Sequence, residues 1–549
     1  MKKKEKIPVF ILLFLSFLLC FFKLDQNPTF ISDEASIGYN AFSILKTGRD
    51  EWGRAFPLTF KAFGEHKLPL YIYASVLPVG IFKLSHFSTR FMSALSGFLS
   101  PVFIYLIACQ LNPWPDKKIA FPLWVTFLFT INPWHFQTNR LALEANLALF
   151  LFLIGFWLIL KKKLSWAAVF LSLTLYTYNA CRLFVPLFLF LSLIFKKRSL
   201  KEIGRPISIF LILSLPLFFS GFRGSQERVF KTAFFHDPGL IQRIEVRRNR
   251  CQNRLNQTLC RLVFNRPVTY SSEFFKNYLS HFSPRFLFRG ADLAQYSLPE
   301  QGIVYFFELP LLIYGLWYLS SKENLKNILL PWLVAAPVAN SLTGPAHPVR
   351  SLVLMPVFPI LGGLGIACFL LKLPRLKSVF SKTLIGLSLV SSVFFLKEYF
   401  FTYPTQTGSI WQAGYQPLFN YLDLYNGPHQ RVITKFYGEP HIFDLFYHAR
   451  YDGFDPRIFQ SSTNGLVVRY DRQDHWVNFD RYADAFYWEQ NDYPTWEKLV
   501  EKNQGDVDLF TLIALAPWES LPEKEPADFV YYPNGEVAFK IYQFNQPTK

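Results

Sequence analysis

Two adjacent carboxylates, Asp33 and Glu34, follow closely on the first apolar block of this sequence, within Ile31-Ser32-Asp33-Glu34-Ala35-Ser36-Ile37-Gly38-Tyr39-Asn40-Ala41. A positioned carboxylate acts as general base on a hydroxyl, or holds a divalent ion beside a leaving phosphate. A plainer reading stands beside it: acids in the first turn of a helix, with Ser32 as its cap, simply favour the helix dipole. Further along, Asn132-Pro133-Trp134-His135 leads to Arg140 and Glu144, four residues apart and so on one helix face, where a local salt bridge is the alternative. Thr177-Tyr178-Asn179-Ala180-Cys181-Arg182 supplies a second guanidinium, and Gly344-Pro345-Ala346-His347-Pro348-Val349-Arg350 a His and a third. One Arg near a helix end often just snorkels. Three in short turns ask for a better reason, and Arg is suited to bidentate contact with phosphate oxygens. An acid with basic groups converging on it fits group transfer from a phosphate-bearing lipid at headgroup depth.

The elements that must position these residues are apolar helices. Of 549 residues 51% are hydrophobic, including 61 Phe, and mean hydropathy is +0.18. They cluster in blocks of roughly twenty, the length that crosses a hydrocarbon core as helix. Blocks lie near 7–24, 69–84, 88–110, 118–134, 140–160, 164–179, 182–196, 204–222, 302–320, 326–341, 349–371 and 379–401. That excludes an ordinary soluble protein. The block at 69–84 is short and contains Pro69, Pro78 and Lys83. If it lies along the interface, then residues 1–6 and the loops at 111–118, 161–163, 196–205, 321–326 and 372–382 share one side, with 20 Lys or Arg against 4 acids. If it crosses, the five later loops leave the side of the N-terminal lysines, against the positive-inside rule. The expectation is a mainly α, polytopic helical membrane protein with about eleven transmembrane helices and an interfacial helix in the first external loop. The N-terminus is cytoplasmic, and no small-residue cleavage site follows the first apolar run.

This topology puts the loop 25–87, the turns at 132–140, 179–183 and 342–350, the loop 223–300 and the tail outside. Two domains follow: 1–403 in the membrane and 404–549 as a small extracytoplasmic α/β domain. The tail is rich in Tyr, Asp, Asn and Pro, with strand-like runs Arg431-Val432-Ile433-Thr434 and Gly465-Leu466-Val467-Val468, and turn signals such as Tyr425-Asn426-Gly427-Pro428. The formal charge of +18 belongs to membrane orientation, so no nucleic-acid partner is expected. The loop 223–300 has thirteen Lys or Arg against six acids; it either meets anionic headgroups or is simply solvated. Cys251 and Cys260 share that loop and can pair if it faces an oxidising side.

In the order of these features the sequence resembles the GT-C glycosyltransferases, particularly the bacterial branch related to protein O-mannosyltransferases and aminoarabinose transferases, over roughly residues 5–400. The resemblance implies a membrane glycosyltransferase that takes a sugar from a polyprenyl-phosphate donor, in an inverting reaction, to an extracytoplasmic acceptor. Asp33 matches the acidic residue of the first external loop and is carried over as the catalytic base or its equivalent, with Glu34 beside it. Gly64-Glu65-His66-Lys67-Leu68-Pro69-Leu70 is similar to the family's Glu-Lys-Pro-Pro-Leu. Lys67 then faces the donor phosphate, while His66 replaces the acid and Leu68 a Pro. Arg140 and Glu144 match the second external loop, and His347 to Arg350, with Pro356 and Pro359, resembles the late helix near the carrier lipid. Lys67, Arg140, Arg182, His347 and Arg350 are the phosphate candidates; Glu65, His66, Glu144, Tyr178 and Glu308 are further pocket candidates. No cofactor is implied with certainty; a divalent metal ion, if present, would draw on Asp33, Glu65 and His66. The competing class is a transporter or flippase of a lipid-linked or small substrate. Against it, no paired inverted halves appear, and the polar residues gather at one face, Glu308 being the main exception.

Overall fold

The computed structural model describes residues 6–63, 65–115, 120–195, 200–221, 233–253, 256–290, 295–424, 431–434, 436–450, 454–457, 460, 468–470, 477–479, 481–482, 485–488, 512–521 and 524–543. The chain opens with helix α1 (Lys6–Phe21), α2 (Ser32–Thr47), a short antiparallel hairpin of β1 (Phe60–Ala62) and β2 (Glu65–Lys67), α3 (Pro69–Phe82) and α4 (His86–Leu111). Every apolar block read from the sequence contains helix among its described residues. Proline punctuates them: Pro69 starts α3, and the block near 118–134 divides into Phe121–Ile131 and Pro133–Asn139. Among the described residues three helices are long and apolar enough to cross a membrane, His86–Leu111, Leu352–Lys372 and Pro374–Thr407, and seven shorter helices are also apolar. The chain is thus a mainly helical membrane protein with a small sheet near its C-terminus.

Contacts divide the chain into two compact units, one of residues 1–22 and 93–396, the other of 23–92 and 397–549. The first is a helical bundle. Its core gathers Phe152, Phe156, Phe184 and Phe188 around the buried Trp332, whose indole N–H donates to the Val353 carbonyl at 2.6 Å. Close helix contact rests on glycine: a Cβ at Gly315 would meet the Leu361 carbonyl oxygen at 1.9 Å. Cys251 and Cys260 form a disulfide that joins the helices Pro238–Gln252 and Gln257–Val263.

The second unit brings the first loop together with the tail. Six strands run β6 (Arg481–Tyr482), β7 (Ala485–Trp488), β3 (Arg431–Thr434), β8 (Leu512–Leu515), β10 (Val537–Gln543) and β9 (Asp528–Tyr531) across one mixed sheet, with β3 parallel to both its neighbours. A separate pair is formed by β4 (Val468–Tyr470) and β5 (Val477–Phe479). The strand expected at Arg431–Thr434 is β3; of the second expected run only Val468 is described, opening β4, and the turn at Tyr425–Pro428 lies outside the described residues. The helix Pro440–His448 packs on α2, which is why residue 38 is glycine: a Cβ there would meet Thr89 Oγ1 at 2.5 Å and the Phe446 ring at 2.7 Å.

The start of α2 differs from the expected Ser32 cap. Ile31 is the N-cap residue, and the Glu34 carboxylate accepts from its backbone N–H at 3.4 Å. That carboxylate is held chiefly by Arg90. Nε and Nη2 of Arg90 donate to the two Glu34 oxygens at 2.8 and 2.7 Å, and both side chains are almost wholly buried. Arg90 also donates to the carbonyls of Leu24 and Thr29, so one guanidinium fixes the whole crossing from residue 24 to α2. Removing one member of such a pair strands the other charge in the interior, at a cost of about 3–5 kcal/mol. Arg90→Met is therefore expected to lower the unfolding midpoint of the detergent-solubilised chain sharply, whereas Asp33→Asn, at an exposed position, leaves it unchanged; differential scanning fluorimetry reads both.

Candidate functional site

The residue next to Glu34 points the other way. Successive helical residues are about 100° apart, so with Glu34 turned inward Asp33 faces out, and its side chain is 57% exposed. The β1–β2 hairpin delivers Lys67, paired in register with Phe60. Lys67 Nζ sits 2.6 Å from Asp33 Oδ1 and also donates to the Asp33 carbonyl at 3.1 Å. The lysine is itself largely buried, with its ammonium over the Phe63 ring. Oδ1 of the carboxylate is thus anchored while the side chain stays more than half exposed. His66, half-buried, precedes it in β2 opposite Lys61, and Glu65 pairs in the backbone with Ala62.

The tail contributes groups that no local pattern announced. Gln412, in the left-handed region with φ 56°, accepts from the Ser32 backbone N–H at 3.0 Å through Oε1. Its Nε2 donates to the Tyr437 carbonyl at 2.6 Å. One amide so ties the start of α2 to the turn Tyr437-Gly438-Glu439, where Gly438 and Glu439 are left-handed too (φ 75° and 53°). Left-handed non-glycine residues cost free energy and tend to gather at functional sites. Glu439 precedes the helix Pro440–His448, and its carboxyl is mostly buried. Burial, and then the charge of Asp33, push it up to about 8. Its Oε2 lies 3.5 Å from His441 Nδ1, but burial pushes His441 down to about 3, so at neutral pH the two are an uncharged contact and no ion pair.

A further carboxyl, Glu51, completes this electrostatic setting. It is buried and accepts from Asn40 Nδ2 at 2.6 Å, while its own backbone N–H donates to Asn40 Oδ1 at 3.1 Å. Burial pushes Glu51 up to about 8; the Asn40 bond and Lys67 work against that, and Asp50 and Glu439 add to it. Lys67 is therefore a buried cation amid one exposed carboxylate and two carboxyls that burial keeps protonated. Among the described residues no three His, Cys, Asp or Glu side chains are grouped as metal ligands, and the Glu65 side chain lies outside them.

The remaining sequence candidates belong to the helical unit. Arg140 is fully buried and donates to the carbonyls of Leu19 and Phe22 at 3.0 and 2.7 Å, closing the C-terminal end of α1. Glu144 opens the helix Glu144–Leu160, and Tyr178 packs against the core. Arg182 donates to the Leu175 carbonyl at 3.2 Å, and one of its terminal nitrogens, also buried, has no hydrogen-bond partner among the described residues. Arg350 donates to Thr343 Oγ1 at 3.1 Å. His347 Nδ1 accepts from the Val349 backbone N–H at 3.1 Å, and burial, then Arg350, pushes it down to about 3; at neutral pH it is an uncharged imidazole. Their turn is pinned from the helix Arg266–Ser280, where Ser280 Oγ accepts from the Ala346 N–H and Asn277 donates to the Ser341 carbonyl. Glu308 is fully buried, and neither carboxyl oxygen has a hydrogen-bond partner among the described residues. Lys67 belongs to the same unit as Asp33 and contacts it.

No family model matches the sequence, and no curated protein matches it. Solved structures do. ArnT from Cupriavidus metallidurans in the apo state superposes with a TM-score of 0.53 at 11% identity over 100% of both chains. The same protein bound to undecaprenyl phosphate gives 0.50 at 12% identity over 98% of this chain and 99% of that one. The apo oligosaccharyltransferase of Archaeoglobus fulgidus gives 0.46 at 13% identity over 82% of this chain, which spans 64% of that protein's length. In fold the chain is similar to ArnT.

Proposed function

We propose that this chain is a membrane glycosyltransferase that moves a sugar from a polyprenyl-phosphate carrier to an acceptor hydroxyl outside the cytoplasm. The observation that carries the reading is the exposed Asp33 carboxylate, anchored on one side by the buried Lys67 and backed by the buried Arg90–Glu34 pair. The ArnT likeness, with undecaprenyl phosphate bound in one of its structures, supports the choice of carrier. Asp33 is the base: its carboxylate takes the acceptor O–H proton while the acceptor oxygen bonds to the anomeric carbon. The bond from that carbon to the phosphate oxygen breaks with its electron pair on the phosphate, and attack opposite the leaving group inverts the configuration. Lys67 holds Asp33 in place and stabilises the charge that gathers on the departing phosphate. Glu34 is a positioning residue. Eleven spans, α3 along the interface and an external tail form the topology of this reading. The lysine-rich loops support it, as does α3, which exposes Leu77, Ile81 and Phe82 while burying Tyr71, Ile72 and Val79. The Cys251–Cys260 disulfide suits an oxidising, external compartment.

Removing a positioned general base costs about 10²–10⁴-fold in rate. Asp33→Asn is expected to lose at least 10²-fold in release of polyprenyl phosphate from a polyprenyl-phosphate sugar by the purified chain. Undiminished release would remove Asp33 from the mechanism. Lys67→Met is expected to slow release as well, with a raised KM for the phosphate donor.

A pH dependence follows from the protonated carboxyls. Glu439 and Glu51 both stand at about 8, with Asp33, Lys67, Asp50 and His441 around them. Below that pH both are neutral; above it two further negative charges appear near Lys67 and oppose an anionic donor. KM for the donor should rise as pH passes upward through about 8. The Glu51→Gln, Glu439→Gln double variant, whose amides cannot ionise, should show a flat KM over that range; an unchanged rise would assign it elsewhere.

A further inference from the structure

The external loop folds, from residue 233 to 280, into three helices whose exposed surface is unusual for a segment bathed in water. The helix Arg266–Ser280 carries Val268, Phe275 and Leu279 at seven- and four-residue spacing, one stripe of a 3.6-residue helix. The shorter helix Gln257–Val263 adds Leu259, Leu262 and Val263. These six apolar side chains are between 46% and 63% exposed. Cys260, in the shorter helix, is buried and disulfide-bonded to Cys251, which joins the first two helices. A water-facing loop has no reason to be stapled with its leucines outward.

Charge accompanies the stripe. The described residues from 233 to 280 include Arg243, Arg247, Arg248, Arg250, Arg261, Arg266 and Lys276, against Asp237, Glu245 and Glu273 as the only acids there. Three of these cations, Arg243, Arg247 and Lys276, line a cleft of about 240 Å³ together with Thr269, Ser272 and Glu273. Val263 and Val268, members of the exposed apolar set, line the same cleft, so its mouth borders the stripe. Arg243 is within 3.4 Å of Asp237 and Lys276 within 3.6 Å of Glu273, both weak exposed pairs. Arg247 is exposed and has no ion-pair partner among the described residues. Cations and hydroxyls in a cleft, edged by an apolar stripe, match a phosphodiester headgroup with its acyl chains below. Amphipathic helices with basic polar faces lie in membrane interfaces in this way.

We propose that residues 233–280 form a docking module for the outer leaflet, in which the apolar stripe enters the headgroup–acyl boundary and the Arg243, Arg247 and Lys276 cleft holds the phosphate of an anionic phospholipid. The proposal rests on the membrane reading of the chain and is independent of the transferase chemistry. It has a mechanical consequence: the helix Arg266–Ser280 pins the turn that carries His347 and Arg350 through Ser280 and Asn277, so docking would order that turn.

The test is hydrogen exchange on the full-length chain in nanodiscs of phosphatidylcholine alone, and of phosphatidylcholine mixed with phosphatidylglycerol. Peptides from 257–280 should exchange about tenfold or more slowly with the anionic lipid, since each cation near such a surface contributes on the order of 1 kcal/mol. Peptides from Leu309–Ser320 serve as the control and should not change. The triple variant Arg243→Glu, Arg247→Glu, Lys276→Glu should lose the difference while keeping its unfolding midpoint and its release of polyprenyl phosphate in detergent. Equal exchange in the two nanodiscs, or equal slowing by inorganic phosphate in detergent, overturns the proposal. Failure of sugar transfer with the lipid-dependent protection intact would instead count against the transferase reading alone.

Discussion

The arrangement of the first loop depends on one buried ion pair. Arg90 gives its guanidinium to both oxygens of Glu34 and to two backbone carbonyls, and nothing of the pair is left in water. Burying two charges is expensive, and the attraction between them repays it only when geometry is good and the remaining donors are satisfied. Both conditions hold here, with the Phe30 ring against the guanidinium as well. The consequence reaches the neighbouring residue. Because Glu34 is committed inward, Asp33 can face out only along one direction, and that direction meets Lys67. Two adjacent acids of similar chemistry are thereby given separate tasks, one to hold backbone and one to stand open.

The surroundings of Lys67 are tuned by burial more than by charge pairing. Three carboxyl groups act on or near this ammonium, but Glu51 and Glu439 are held protonated at neutral pH by their own desolvation. A fully ionised cluster would carry an excess of negative charge and turn away a phosphate. With two of the three neutral, the cation remains the dominant charge of the interior, while the Asp33 carboxylate stands at the surface. Gln412 performs a different service. It holds the start of α2 and the turn before Glu439 by neutral hydrogen bonds, which position both without adding charge.

The sequence made the helices and Asp33 legible, because each is written locally: apolar runs of membrane length and an acid after the first of them. Lys67 was singled out by resemblance as facing a donor phosphate, and its contact with Asp33 was not foreseen. It could not separate Glu34 from Asp33. That distinction lies in Arg90, which comes from the start of another helix and reads, in isolation, as one more basic residue near a membrane end. Gln412 and Glu439 were out of reach for the same reason, since they act through a turn that only tertiary packing forms, in backbone conformations that neither residue type signals. The division of the chain was also hidden. A change in composition marks residue 404, but compactness follows contact, and residues 23–92 fold with the tail. The pairing of Cys251 with Cys260, left open by spacing, is settled by two short helices that bring their Cα atoms to 5.7 Å.

Arginine in an external turn is a weak pointer to phosphate, and Arg140 shows the physical reason. The last carbonyls of any helix lack partners within it and carry the negative end of its dipole. A guanidinium has donors enough to satisfy several of them, and Arg140, fully buried, spends two nitrogens on Leu19 and Phe22 at the end of α1. The same residue type in a similar turn therefore answers two needs that composition cannot tell apart, closing a helix or receiving an anion. What separates them is which donors remain. Arg182 keeps a buried terminal nitrogen without a hydrogen-bond partner among the described residues, whereas both terminal nitrogens of Arg140 are engaged by backbone. Arg140 thus closes the end of α1, with its terminal nitrogens spent on backbone carbonyls.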